Sequence, residues 1–255
     1  MNTDHSAEAI LRRLGVTDPS EIDLEAIAWY LGARVRYRPL SACEARIVGT
    51  ADQAVITVNA RASRRRKRFS VGHELGHWQQ DRGRLLFCQA EDIGRAGPGA
   101  LSRERAADRF ASRLLMPDYL FRPMAGASAK VTFAAVRTIA DAFDTSMIAT
   151  AIRLVDGGYF VGCLVCHGRH GRKWFTRSPG LPDRWFPRAD LAAESFAFDV
   201  LFGAHEEDKF PRKIGADAWF DRWDAERYDV HEQTIRTGDE EILTLVRIDD
   251  DARLR

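Results

Sequence analysis

The chain has no apolar run long enough to span a bilayer. Its first residues, MNTDHSAEAILRRLG, lack the basic start, apolar stretch and small-residue cleavage site of a secretory signal, so a cytoplasmic location without membrane association is expected. An excess of one charge is missing too. The 38 Lys and Arg stand against 37 Asp and Glu, a formal net charge of +1, and bulk charge directs the chain to neither nucleic acid nor an anionic surface. Cysteine is scarce: Cys43, Cys88, Cys163 and Cys166 are too few and too scattered for a disulfide-stapled scaffold, and free thiols are expected. There is no internal repeat and no low-complexity stretch. What remains is an ordinary globular composition, 45% apolar and 29% charged over 255 residues, enough for one large domain or two small ones.

Periodicity divides the chain coarsely. Residues 5–14 and 23–31 have helical spacing, with Ser20 or Asp23 as the cap of the second helix and Gly32 as its stop. Residues 34–38, 46–49 and 54–59 alternate as strands. A long helix is expected over about 62–80 and a Gly-rich loop over 83–100. A further helix follows over 101–115, capped by Ser102 and stopped before Pro117. Two helices at about 131–142 and 146–155 surround a turn at Asp144-Thr145. After Gly157-Gly158 the chain becomes richer in strands and aromatics, ending in a hairpin joined at Thr237-Gly238-Asp239.

His73-Glu74-Leu75-Gly76-His77 has the pattern HExxH. On a helix, residues four apart lie one turn above each other, so two imidazoles can reach one ion at about 2.0–2.1 Å. Glu74, beside that face, can take a proton from water. Composition alone would produce this pattern about 0.01 times per chain. A catalytic zinc normally has three protein ligands, and no third histidine stands at short spacing; position 80 is Gln. A carboxylate from the next helix is the other solution. Glu104 and Asp108 share one face there at i and i+4. Glu104 is expected as the third ligand, with Asp108 bonding the free nitrogen of a ligand histidine, most simply His73. Asp108 as the direct ligand is the rival. One zinc ion per chain is expected, although an N₂O ligand set also takes Mn²⁺.

RFSVGHELGHWQQD followed by ERAADRFASRLLMP resembles the ImmA/IrrE family of metallo-endopeptidases, over about residues 7–155. Asp108 stands where that family usually has Asn. By this resemblance His73 and His77 match the ligand histidines, Glu74 the catalytic base and Glu104 the third ligand. The resemblance implies a glutamate-zincin that switches on genes by cutting a helix-turn-helix repressor. The expected fold is α+β. A zincin-like core, a small sheet with the HExxH helix and a ligand helix, spans 1–125. A helix-turn-helix-like pair spans 126–156, and a smaller mixed α/β domain of unassigned role spans 157–255.

Other features read more plainly. The run Arg64 to Arg68 could bind phosphate, but on a helix its side chains radiate all round and a solvated face is expected. Residues 131–155 have helix-turn-helix spacing, yet Ser146, Thr150 and Arg153 make a poor reading set, so direct DNA contact is not expected. Cys163-Leu-Val-Cys166-His167 matches a haem attachment pattern, but on a strand the two thiols point to opposite faces. The aromatics around Trp174, Trp185, Trp219 and Trp223 are read as core. Tyr119, His205 and His231 are candidates for an oxyanion donor, and a peptide could add to the edge of the sheet containing 54–59. The competing reading of the chain is a zinc-stabilised binding module that contacts DNA or a repressor without cutting. Oligomeric state is not legible.

Overall fold

The computed structural model describes residues 6–80, 86–87, 98–127, 131–203 and 205–248. The architecture is mixed α and β, with two sheets in two compact units. The first unit comprises Met1–Met124 and Ile139–Ser146; the second comprises Ala125–Thr138 and Met147–Arg255.

In the first unit, α1 (Ala7–Arg13) is capped by Ser6, and α2 (Leu24–Leu31) by Asp23, which accepts from the amides of Glu25 and Ala26. Gly32 ends α2 at φ 98°, and a Cβ there would stand 2.6 Å from the Asp52 carbonyl oxygen. Only glycine suits that turn. Strands β1 (Ala33–Arg38), β2 (Ala45–Gly49) and β3 (Ala54–Asn59) follow, then α3 (Arg64–Gln80) and the two-residue β4 (Leu86–Phe87). The sheet order is β1-β3-β2-β4, with β1 parallel to β3 and the other pairs antiparallel. Ala33, Ala54, Ile56, Val58 and Ile47 bury one sheet face, and Val71, Leu75 and Trp78 of α3 are buried in the same unit. The Trp78 indole donates to the Thr50 carbonyl at 3.0 Å, tying α3 to the β2–β3 turn. β3 lies between β1 and β2, so residues 54–59 are interior and the edges of the sheet that contains them are β1 and β4.

α4 spans Pro98–Leu115, so it starts three residues before the expected position and Ser102 lies inside it rather than at its cap. Proline is tolerated in a first helical turn, where an amide would have no partner anyway. The rest of the expected 83–100 loop lies outside the described residues, apart from β4. α5 (Asp118–Ala127) was not expected: Pro123 inside it breaks the helical signal. α6 (Phe133–Ala142) and α7 (Met147–Asp156) flank Asp144, held at φ 49°.

The second unit holds β5 (Gly162–Gly168), β6 (Gly171–Arg177), the short α8 (Phe196–Phe202), β7 (Arg212–Gly215), β8 (Asp229–Gly238) and β9 (Glu241–Ile248). These strands form an antiparallel sheet of order β6-β5-β9-β8-β7. Its turn residues are Asp239 and Glu240, two positions past the expected centre, after a bulge between Arg236 and Gly238. Cys163, Val165, Val246 and α8 enclose a core with Trp185, Trp219 and Phe220, as the core reading of the aromatics anticipates; Trp223 instead is 80% exposed. Cys166 is not part of that cluster, although it too is buried. His167 is buried beside the Trp219 ring, and no helix among the described residues is long and apolar enough to cross a membrane.

Glu232 is fully buried in this unit and accepts from the Trp219 indole and from the Ala197 amide at 2.9 Å. Those donors favour its ionised form, but burial outweighs them and pushes the carboxyl from 4.5 up to about 7. The folded chain thus holds a proton that the unfolded chain releases earlier. Stability should fall as pH rises from about 4.5 to about 7, by on the order of 3 kcal/mol. Denaturant titrations across that range should show the decline, and Glu232→Gln should flatten it; an unchanged slope in the variant would refute this assignment.

Candidate metal centre

α3 begins with five cations at the end of a helix where the backbone dipole already favours anions. The conflict is relieved by acids from residues 139–146. Arg64 pairs with Asp144 at 2.7 Å, Arg65 with Asp141 at 2.6 Å, and Arg68 approaches Asp144 at 3.6 Å. The run is partly solvated, as expected, with Arg64 and Arg66 exposed, and three of its five cations also approach acids. Arg68 also donates to the Ile22 carbonyl.

Further along α3, Gly72 and Gly76 face Ala111 and Ala107 of α4. A Cβ on Gly76 would stand 2.9 Å from the Ala107 Cα and 3.0 Å from its carbonyl oxygen; one on Gly72 would meet the Ala111 side chain at 3.2 Å. Each glycine is followed by a histidine, and each alanine is preceded three residues earlier by a carboxylate. The close approach therefore carries Glu104 and Asp108 to the two imidazoles. His73 Nε2 and His77 Nε2 lie 3.0 Å apart. Glu104 brings one oxygen to 3.3 Å from His73 Nε2 and the other to 3.2 Å from His77 Nε2. Asp108 instead meets His73 Nδ1 at 2.9 Å. Among the described residues, His73, His77 and Glu104 form a group able to hold a metal ion, and Asp108 stands outside it.

The chemistry of these atoms fits a cation. With Asp108 accepting a proton from Nδ1, His73 turns an unprotonated Nε2 toward Glu104, whose oxygens are also acceptors. Lone pairs converge with too few protons between them. Two ligands each about 2.1 Å from an ion at a tetrahedral angle stand roughly 3.4 Å apart, close to the separations found here. Burial draws the His73 imidazole down, but the hydrogen bond and charge of Asp108, with Glu74 and Glu104, outweigh it and leave it raised. Glu74 is 5% exposed, and its Oε2 has no hydrogen-bond partner. Burial pushes its carboxyl up to about 7; His73 opposes the shift and Glu104 adds to it.

Tyr119, one of the expected oxyanion donors, is engaged elsewhere. The Tyr119 hydroxyl donates to the Val16 carbonyl at 2.8 Å, so its proton is committed to the fold. His205 and His231 belong to the second unit. Thr150 and Arg153 of α7 are buried, which removes two of the three side chains that a groove-reading helix would present.

A family model described as Peptidase_M78, the IrrE N-terminal-like domain, matches residues 28–155, which include all five residues of the site. The chain belongs to this IrrE-like peptidase family. Among solved structures, this IrrE-like chain is similar to a Mycobacterium tuberculosis transcriptional regulator, at 14% identity and a TM-score of 0.61 over 97% of this chain and 88% of that one. That likeness is one of fold. No curated protein matches the chain in sequence.

Sequence reading overlooked the small-residue seam and the partners of the basic run. The spacing of Gly72 and Gly76, and of Ala107 and Ala111, was a visible signal for the first; nothing local signalled the second. Gly76→Ala should force α3 and α4 apart, lowering thermal stability by about 1–3 kcal/mol and weakening any metal binding at the site. Ala107→Gly should not rescue it, because the clash is with backbone. Gly72→Ala should be partly rescued by Ala111→Gly. Calorimetric zinc titration with thermal melting of the four proteins checks this.

Proposed function

We propose that the chain is a zinc-dependent endopeptidase with a zincin-like core, acting in the cytoplasm on a helix-turn-helix transcriptional repressor to switch on genes. The observation that carries this reading is the convergence of His73, His77 and Glu104 with the buried Glu74 beside them on the same helix. Membership of the IrrE-like peptidase family supports both the hydrolytic chemistry and the repressor as substrate.

In this reading His73, His77 and Glu104 hold one zinc ion, and Asp108 acts through His73 by fixing its tautomer. Bound zinc supplies a Lewis acid, at which water becomes nucleophilic near neutral pH and a scissile carbonyl is polarised. Glu74 takes the proton of the attacking water and delivers it to the leaving amine. Its buried carboxyl, with one oxygen unpartnered, is a stronger base than a solvated one. The exposed side of Glu104, 57% accessible, leaves the site open to a protein chain. The pairing of Arg64 and Arg65 with acids argues against phosphate contact through that run.

The decisive variants separate a protease from a binding module stabilised by zinc. Wild type should carry about one zinc by elemental analysis, and His73→Ala and Glu104→Ala should lose it. Asp108→Ala should weaken it about 10–100-fold. Glu74→Gln should keep the metal while cleavage of a co-expressed repressor falls by roughly 10²–10⁴. Cleavage by Glu74→Gln at the wild-type rate would remove Glu74 from the mechanism. Full metal in Glu104→Ala would move the third ligand to Asp108.

A further inference from the structure

The sheet of the first unit buries one face and leaves the other open. Strand alternation and register assign that outer face. Arg34, Arg36 and Arg38 on β1, Val55, Thr57 and Asn59 on β3, and Arg46 and Val48 on β2 share it. Arg36 and Arg46 flank Thr57, and Arg34 and Val48 flank Val55. All four arginines are exposed. At one end Trp29 is 65% exposed, with the Arg34 guanidinium 5.1 Å from its ring, and Val48 is 48% exposed. Trp29, Arg34, Arg36, Val48 and Val55 line one open groove of about 600 Å³.

The composition of this face is unlike the rest of the balanced chain. Arg34 and Arg36 line the groove beside an apolar floor of Val48, Ala54 and Val55, with Asp52 also in its lining, and Arg38 and Arg46 lie further along the same face. Successive arginines on β1 are about 6.7 Å apart, and β2 lies about 9.5 Å across the sheet. A uniformly charged nucleic-acid backbone would leave Trp29 and the valines uncovered. A segment with both apolar and acidic side chains covers the apolar floor and pairs with the arginines beside it. Exposed Trp and Arg around an apolar centre is also the composition of energetic centres in protein interfaces.

We propose that this open sheet face docks an acidic amphipathic segment of a partner protein. Apolar side chains lie over Trp29, Val48 and Val55, and carboxylates pair with Arg34, Arg36 and Arg46. Arginine pairs such groups in bidentate fashion and stacks on the indole as well. The inference does not depend on proteolysis, because it uses no residue of the metal centre.

The test uses the purified full chain and a fluorescent amphipathic helical peptide of Glu and Leu, followed by anisotropy. A peptide with Lys for every Glu and an oligo-dT strand serve as competitors for the same face. The acidic peptide should bind, more weakly as salt rises. The Arg36→Glu, Arg46→Glu double variant should weaken it at least roughly tenfold, and the milder Arg36→Gln, Arg46→Gln pair should weaken it less. Trp29→Ser should weaken it too, with melting curves for each variant matching wild type. Equal binding of the acidic and basic peptides, no binding of the acidic one, or wild-type affinity in either double variant overturns the proposal. Tighter binding of oligo-dT with the same dependence on Arg36 and Arg46 also overturns it and makes the face a nucleic-acid surface.

Discussion

The close approach of α3 and α4 is the constraint on which the metal centre depends. Gly72 and Gly76 present no side chains to α4, and Ala107 and Ala111 present the smallest possible ones, so the two backbones come nearly into contact. Helices whose contact residues are larger pack about 8–10 Å apart. At such a distance Glu104 would have to stretch to reach both imidazoles, losing side-chain entropy and geometry together. The alternation of small and chemical residues does two tasks with one periodicity: glycine then histidine on α3, and carboxylate three residues before alanine on α4. The seam and the site are the same turns of the same helices.

Electrostatics follow from that arrangement. Bringing Glu74, Glu104 and Asp108 around two imidazoles concentrates negative charge where one carboxylate, Glu74, is already buried. The carboxylates raise His73 against its burial, and Glu74 is raised first by burial and then by Glu104, each in the direction that takes up a proton. A divalent cation offers the same relief without protonation. At the other end of α3 the sign is reversed, with five cations on the positive pole of a helix. Asp141 and Asp144 supply the missing anions, and Asp144 does so from a left-handed backbone conformation that disfavours most side chains. The helix is thus held at its start by ion pairs, in its middle by the seam, and through Trp78 by a hydrogen bond to the β2–β3 turn.

The second unit is built on a different principle. Its sheet is covered on one face by α8 and a cluster of indole and phenyl rings, and it admits a buried carboxyl, Glu232, only because two N–H donors point at it. The opposite face buries Leu164, Leu243 and Leu245. On that side Gln233 of β8 accepts from the Phe133 amide at the start of α6. The sheet of the first unit, by contrast, leaves its second face to arginine, valine and an exposed tryptophan. Sheets of similar size thus differ in whether water or protein completes them.

By itself the sequence marked out the candidate site residues, because HExxH is a local pattern that needs only a helix, and α3 is a helix over nearly the expected residues. It also marked β1, β2 and β3, whose alternation gives one buried face, and the core role of Trp185 and Trp219, though not β4, β7 or the exposed Trp223. Local signals failed where they were contradicted or absent. Pro123 masked α5, and Ser102 suggested a cap that Pro98 made unnecessary. Only the tertiary structure decided that β3 is interior, since strand order depends on pairing between distant segments and leaves no mark on any one of them. Glu104 and Asp108 share one face with Glu104 favoured as ligand, but the distances that bring Glu104 to both Nε2 atoms and Asp108 to His73 Nδ1 follow only from where Ala107 and Ala111 press against the glycines of α3, a contact between segments that neither marks alone.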